Sequence, residues 1–203
     1  DFLKCIRECD MRLFCYRAKC GDSFHLQYVG KSGKHRNIFL DMGYSKTYSA
    51  ILKSVISKIV VASEQIDALF LSHIHDDHIG CASKFVRDIQ SDSALNNVVK
   101  RWIYNAPRKY VVEQAYDENN GVLCGIVSSD KVYEHILSNN PKNLGDIIEG
   151  QSFVIDGMKV TIISPDVDKL NQLREKYSNH RPLCKSEIDK ASVEAGSVMD
   201  DYF

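Results

Sequence analysis

Six consecutive residues, His73-Ile74-His75-Asp76-Asp77-His78, hold three histidines and two aspartates. The apolar run Ala68-Leu69-Phe70-Leu71 ends one residue short of this His/Asp cluster, and apolar residues at helical spacing follow it from Ile79 to Ile89. A continuous apolar run is typical of a buried strand, and the later spacing predicts an amphipathic helix. The sequence therefore places the cluster at a strand-to-helix junction, where the side chains of one short loop can converge.

The spacing within the cluster favours metal binding. Residues two apart in an extended segment point to the same side, so His73 and His75 can offer ring nitrogens to one ion. Asp77 and His78, where the chain turns into the helix, can face a second ion. Imidazole and carboxylate suit zinc, manganese or iron, and a ligand shell with open positions admits the water that hydrolysis needs. We therefore predict a hydrolytic centre with one or two divalent ions, zinc or manganese.

The alternative is a surface turn in which these side chains are only solvated. Asp76 is the member of the cluster that fits this alternative best, because it lies between the predicted ligands. We expect its side chain to point to solvent.

Periodicity along the rest of the chain predicts a mixed α/β domain. Turn residues at Asp156-Gly157 give the strongest hairpin pattern. Strands are predicted over residues 13–16, 24–29, 37–41, 67–72, 98–104, 153–155 and 159–163. Helices are predicted over residues 49–62, 79–89, 107–116, 130–137 and 166–177, with Ser129 or Asp130 as the cap of the fourth.

The 203 residues suffice for one such domain, which we place over residues 1–177. Apolar content falls after Tyr177, and we expect residues 178–203 to form a polar, mobile segment.

The 26 lysines and arginines nearly balance the 27 aspartates and glutamates, so no overall positive field attracts nucleic acid from a distance. With no apolar run near the roughly 18 residues that span a bilayer, we expect a cytoplasmic protein without membrane partners.

The cluster, followed by Ile79-Gly80, resembles the H-x-H-x-D-H signature of the metallo-β-lactamase fold hydrolases. Leu40-Asp41-Met42-Gly43 resembles the strand-ending aspartate of that family. Gly21-Asp22-Ser23 and Ile163-Ser164-Pro165 resemble one branch, which includes the hydrolase domain of DNA-uptake competence proteins and relatives from bacterial defence operons. The resemblance runs from about Met11 to Tyr177.

The resemblance implies an αββα sandwich with metals at one edge. It assigns His73 and His75 to the first ion and Asp77 and His78 to the second. It makes Asp77 the catalytic residue that orients the attacking hydroxide, and it makes Asp41 a support of the metal loop that does not touch the ions.

Two departures from the family pattern shape our expectations. Cys81 stands where the family usually has a second glycine. The family also adds a bridging aspartate after a later strand and then another histidine, and neither is evident before residue 203. We therefore expect this chain to hold the N-terminal part of the sandwich. His135 and His180 are candidates for a further ligand, but His135 is more simply a helix-packing residue, and His25 and His35 are more simply structural or solvated.

These observations together predict a metal-dependent hydrolase, a phosphodiesterase or nuclease that uses a metal-bound hydroxide on nucleic acid or a nucleotide. One alternative keeps the site but changes the substrate to a thioester, lactone or amide. The other alternative is a scaffold component of a multi-protein system that lacks a complete catalytic shell. Two small basic groups, Lys31 to Arg36 and Lys100 to Lys109, could touch a phosphate backbone, although solvated loop charge is the simpler explanation for both.

Overall fold

The structure is a computed structural model that describes residues 11–18, 21–107, 123–139 and 145–178. Its main element is a five-stranded sheet in the order β1-β2-β3-β4-β5. The first three strands pair antiparallel, and β3, β4 and β5 are parallel. The strands are β1 Met11–Cys15, β2 Phe24–Val29, β3 His35–Leu40, β4 Ile66–Leu71 and β5 Trp102–Tyr104.

Helices make the crossovers between the parallel strands. The first crossover comprises α1 Ser45–Thr47, a π-helical segment Tyr48–Leu52 and α2 Lys53–Val61. The second comprises α3 Asp76–Ser91 and a short 3-10 turn, Ser93–Leu95. Two further helices follow β5 in the chain, α4 Leu123–Asn139 and α5 Val167–Ser178. None of the helices in the described ranges is long and apolar enough to cross a membrane.

Alternating side chains of the parallel strands divide the core into two layers. On one face, Phe39, Leu69 and Trp102 pack against the crossover helices and α4. On the opposite face, Ile38 and Ala68 lie under a second, two-stranded sheet. Because successive residues of a strand point to opposite faces, the same short strands can build both layers.

The second sheet is a hairpin of β6 Ser152–Ile155 and β7 Met158–Thr161. A charged cluster fixes it to the β2–β3 turn: Asp156 accepts hydrogen bonds from the Ser32 backbone N–H at 3.0 Å and from Arg36 Nε at 2.8 Å. Arg36 also pairs with the buried carboxylate of Asp67 at 3.2 Å. The hairpin is therefore held by ion pairs at its turn as well as by apolar contacts beneath it.

The predicted mixed α/β architecture, with a central sheet and flanking helices, is confirmed. The predicted cap at Ser129 or Asp130 is wrong, because α4 begins at Leu123 and both residues lie inside it. The helix predicted over residues 107–116 lies outside the described residues beyond Pro107. The polar segment predicted over residues 178–203 also lies outside them, apart from Ser178 at the end of α5.

Candidate metal centre

The His/Asp cluster lies at the carboxyl edge of the parallel strands. β4 ends at Leu71 and α3 begins at Asp76, so residues 72–75 form the connecting loop. Asp41 directly follows β3, and its backbone N–H donates to the carbonyl of Phe70 at 2.9 Å. Because adjacent parallel strands end at the same edge of a sheet, Asp41 is held beside this loop.

Three side chains of the cluster form a first group of donors. One ligand atom from each of His73, His75 and Asp77 lies within 4.8 Å of the others. Nε2 of His73 is 3.2 Å from Nδ1 of His75. The two histidines therefore direct one nitrogen each toward a common point, as their spacing predicts.

A second group of donors overlaps the first. Asp41, His73 and His78 also place one ligand atom each within 4.8 Å of the others. Nδ1 of His78 is 2.9 Å from Oδ2 of Asp41, and its Nε2 is 3.7 Å from Oδ2 of Asp77. His78 thus has one nitrogen on the Asp41 carboxylate and presents the other toward Asp77.

The donor set fits a divalent transition metal. Two nitrogens that each lie about 2.0–2.1 Å from one tetrahedral zinc ion are about 3.3 Å apart. The 3.2 Å separation of the facing nitrogens of His73 and His75 agrees with that value. Imidazole and carboxylate are also the ligands that zinc and manganese accept in proteins. The residues present therefore suit a metal centre, in which His73, His75, Asp77 and His78 would be the ligands.

The protonation of His73 also favours metal binding. Its pKa lies below the ordinary value, first because burial withdraws the imidazole from water and then because His78 and His75 are close to it. A lowered pKa keeps the ring neutral around pH 7. Only the neutral imidazole has a lone pair for a metal ion.

The five site residues predicted from the sequence all lie at this edge of the sheet: Asp41, His73, His75, Asp77 and His78. Their individual roles stay predictions. The β1–β2 turn also borders the site, a position that the motif Gly21-Asp22-Ser23 by itself does not reveal. A Cβ at Gly21 would lie 1.8 Å from the carbonyl oxygen of Asp77, so only glycine allows the turn to pack against the cluster. Oδ2 of Asp22 lies 3.9 Å from Nδ1 of His78.

The expectation that Asp76 points to solvent is wrong. Its side chain is half-buried between α3 and α4, and its Oδ1 accepts a hydrogen bond from Ser128 Oγ at 3.2 Å. Burial raises the pKa of Asp76, which the Ser128 hydrogen bond partly opposes. Asp76 therefore links α3 to α4 through Ser128.

The residues that follow the cluster pack tightly against α1. A Cβ at Gly80 would lie 2.9 Å from Oδ1 of Asp76 and 3.0 Å from the backbone nitrogen of Ser45. Cys81, in place of the family's second glycine, is buried and donates to the carbonyl of Tyr44. Burial raises the pKa of its thiol. The cysteine is accommodated here as a buried, neutral packing residue.

The remaining histidines of the described ranges have other surroundings. His135 is buried against Trp102, with ring centroids 5.6 Å apart, as expected of a helix-packing residue. His25 is buried in the sheet, stacked on Phe39 at 4.3 Å. His35 pairs with Glu64 at 3.1 Å. His180 lies outside the described residues.

Within the described residues, the basic groups do not border the cluster. Lys31 to Arg36 precede and begin β3, whereas the cluster lies at the end of this strand, and Arg36 is engaged by the two carboxylates described above. Lys100 Nζ donates to Asp67, and the Arg101 guanidinium lies 4.7 Å from the Phe153 ring centroid. Arg108 and Lys109 lie outside the described residues. The described residues of both groups therefore lie at the edge of the sheet opposite to the cluster.

A comparison with protein families agrees with this geometry. The family model described as the metallo-beta-lactamase superfamily matches residues 23–157, which is more than half of the chain. The matched range contains Asp41, the whole cluster and the β6 strand. A search of curated proteins finds no match. The match is to the superfamily as a whole and selects no branch within it.

Proposed function

Because the chain belongs to the metallo-β-lactamase superfamily, whose members are usually metal-dependent hydrolases, we propose that it hydrolyses phosphodiester bonds at the His/Asp cluster. The proposed substrate is a nucleic acid or a nucleotide. The proposed cofactor is zinc or manganese, held by His73, His75, Asp77 and His78.

One observation supports this proposal above the others. The two donor groups share His73, so the 72–75 loop and the first turn of α3 place ligand atoms of His75 and Asp77, and also of His78 with its partner Asp41, within 4.8 Å of a ligand atom of that histidine. Divalent ions held there would supply an activated water and stabilise the charge that develops on the leaving oxygen. Paired ions of this kind suit the in-line displacement at a phosphodiester, where attacking and leaving oxygens both carry charge.

The residues of the chain then have separate tasks. Asp77 is half-buried, and its carboxylate lies close to both His75 and His78. Its carboxylate accepts a hydrogen bond from the attacking water and so orients the nucleophile. Asp41 holds Nδ1 of His78 and leaves Nε2 directed toward the centre. A carboxylate that orients a histidine in this way also makes the ring a better ligand.

A substrate panel tests the proposal directly. The full chain is purified, loaded with manganese or zinc, and assayed on bis-p-nitrophenyl phosphate, single-stranded DNA, a thioester, a lactone and an amide. We expect turnover of the phosphodiesters, with a loss of at least about 100-fold in His75→Ala and in Asp77→Ala because each removes a ligand. His35→Ala, an exposed histidine away from the cluster, is the matched control and keeps wild-type activity.

Each contrary result has a distinct meaning. Turnover that survives both variants would show that the cluster is not the active site. Hydrolysis of the thioester, lactone or amide alone, abolished by both variants, would keep the centre and overturn the substrate. Less than about half an equivalent of metal per chain after metal loading, together with no turnover, would favour the scaffold alternative.

A further inference from the structure

Ser72, which precedes the cluster, makes two close contacts through one hydroxyl. Its Oγ is 2.6 Å from Oδ2 of Asp41 and 2.8 Å from Nδ1 of His73. Its backbone N–H donates to Oδ1 of the same aspartate at 2.8 Å. The hydroxyl therefore connects Asp41 to a predicted ligand of the first ion, while the same Asp41 oxygen contacts Nδ1 of His78 at 2.9 Å.

The position of the proton follows from the capacity of each group. A serine hydroxyl has one hydrogen to donate, and an ionised carboxylate only accepts hydrogen bonds. The hydroxyl hydrogen of Ser72 must then point to Asp41, so the Ser72 oxygen acts as a hydrogen-bond acceptor toward Nδ1 of His73. Two acceptors cannot bond to each other, and Nδ1 of His73 must carry a proton. In a neutral ring this leaves Nε2 bare, which is the nitrogen that faces His75 at 3.2 Å.

We propose that Ser72 is a positioning residue that fixes His73 in the Nδ1–H tautomer and so reserves Nε2 for the metal. Asp41 then orients two of the predicted ligands, His78 directly and His73 through the serine hydroxyl. The importance of Ser72 for metal binding rests on the proposed metal centre. The assignment of the tautomer rests on the hydrogen bonds alone and holds in the metal-free chain.

The tautomer is measured first, in the metal-free full chain. Nitrogen NMR of histidine-labelled protein, at a pH where the imidazoles are neutral, distinguishes a protonated ring nitrogen from a bare one, and a His73→Gln spectrum identifies the signals of His73. We expect protonated Nδ1 and bare Nε2 in the wild type. In Ser72→Ala we expect a substantial share of the opposite tautomer, because no acceptor then selects Nδ1–H.

The affinity for zinc is measured next, by calorimetry. Ser72→Ala should weaken binding about 10- to 100-fold, the usual effect of removing a group that orients a ligand. Ser72→Thr retains the hydroxyl, and because Ser72 is exposed the added methyl has room, so its affinity should stay within about threefold of the wild type. Ser91→Ala removes an exposed hydroxyl that donates to the carbonyl oxygens of Arg87 and Asp88 within α3, and this variant should bind zinc as the wild type does.

The outcomes separate this inference from the proposed function. A proton on Nε2 of His73 in the wild type overturns the inference, as does a Ser72→Ala variant with wild-type tautomer and affinity. If Ser72→Ala does not fold, the wild-type tautomer and the Ser72→Thr affinity decide the matter. If the wild type binds no metal, the proposed function fails, and the tautomer measurement still accepts or rejects the role of Ser72.

Discussion

Replacing Asp41 by asparagine isolates the charge of the carboxylate that contacts His78 directly and His73 through the Ser72 hydroxyl. Asp41 is 6% exposed and has a backbone φ of 53°, in the left-handed region. Asparagine tolerates this region and has nearly the same shape, so the backbone needs no rearrangement. Its amide oxygen can still accept from the Ser72 backbone N–H.

The expected cost follows from the contacts that asparagine cannot keep. The amide NH₂ faces Nδ1 of His78, where a donor now meets a donor in place of the 2.9 Å contact. Loss of a hydrogen bond to a charged group costs about 1.5–3 kcal/mol of the free energy of unfolding. The Ser72 hydroxyl can turn and accept from the amide, so it adds little to this cost. His78 is then free to place its proton on Nε2, and zinc affinity should fall about 10- to 100-fold.

Urea unfolding in the presence of a chelator measures the free energy of unfolding, and calorimetric titration measures the zinc affinity. Asp168→Asn makes the same change of charge on an exposed position of α5 and should alter the free energy of unfolding by less than about 0.5 kcal/mol. The reasoning is refuted if Asp41→Asn unfolds at the wild-type urea concentration and binds zinc with wild-type affinity. It would then follow that His78 does not depend on this carboxylate.

Three further predictions concern stability. Phe85→Ala empties a fully buried site and should lower the free energy of unfolding by about 3–5 kcal/mol, whereas Val61→Ala, at a position 86% exposed, should change it by less than about 0.5 kcal/mol in the same urea titration. Arg36→Met removes hydrogen bonds to two carboxylates and should cost about 2–4 kcal/mol; an unchanged midpoint would show that the hairpin is held by apolar contacts alone. Burial lowers the pKa of His25 and His135, so the unfolded chain binds more protons than the folded chain, and the melting temperature should fall as the pH drops below about 6.5. In His135→Leu the melting temperature should depend less on pH. A pH dependence equal to that of the wild type would contradict this role of His135.

Local patterns were sufficient for much of the fold. The apolar run before the cluster gave β4, the helical spacing after it gave α3, and the turn at Asp156-Gly157 gave the β6–β7 hairpin. The strand predicted through Asp41 ends at Leu40 instead, since Asp41 adopts the left-handed conformation that starts the loop. Patterns of this kind succeed because side-chain periodicity records which face of an element is buried.

The same kind of reasoning failed where polar residues have partners distant in sequence. Ser129 and Asp130 have the composition of a helix cap, but Ser129 lies inside α4 and its hydroxyl contacts that of Tyr104. Asp76 was expected in solvent and instead bonds to Ser128, 52 positions away in the chain. A short polar side chain looks the same in a cap, in a loop or between packed helices until its partner is known.

The sequence by itself identified the candidate donor residues, because their number and spacing within one short segment are properties of local backbone geometry. Only the tertiary structure decided which nitrogen of His73 and which nitrogen of His78 faces the centre. That choice depends on Asp41 from the neighbouring strand and on Ser72 between them, and hydrogen bonds between separate strands exist only once the parallel sheet has brought their ends together.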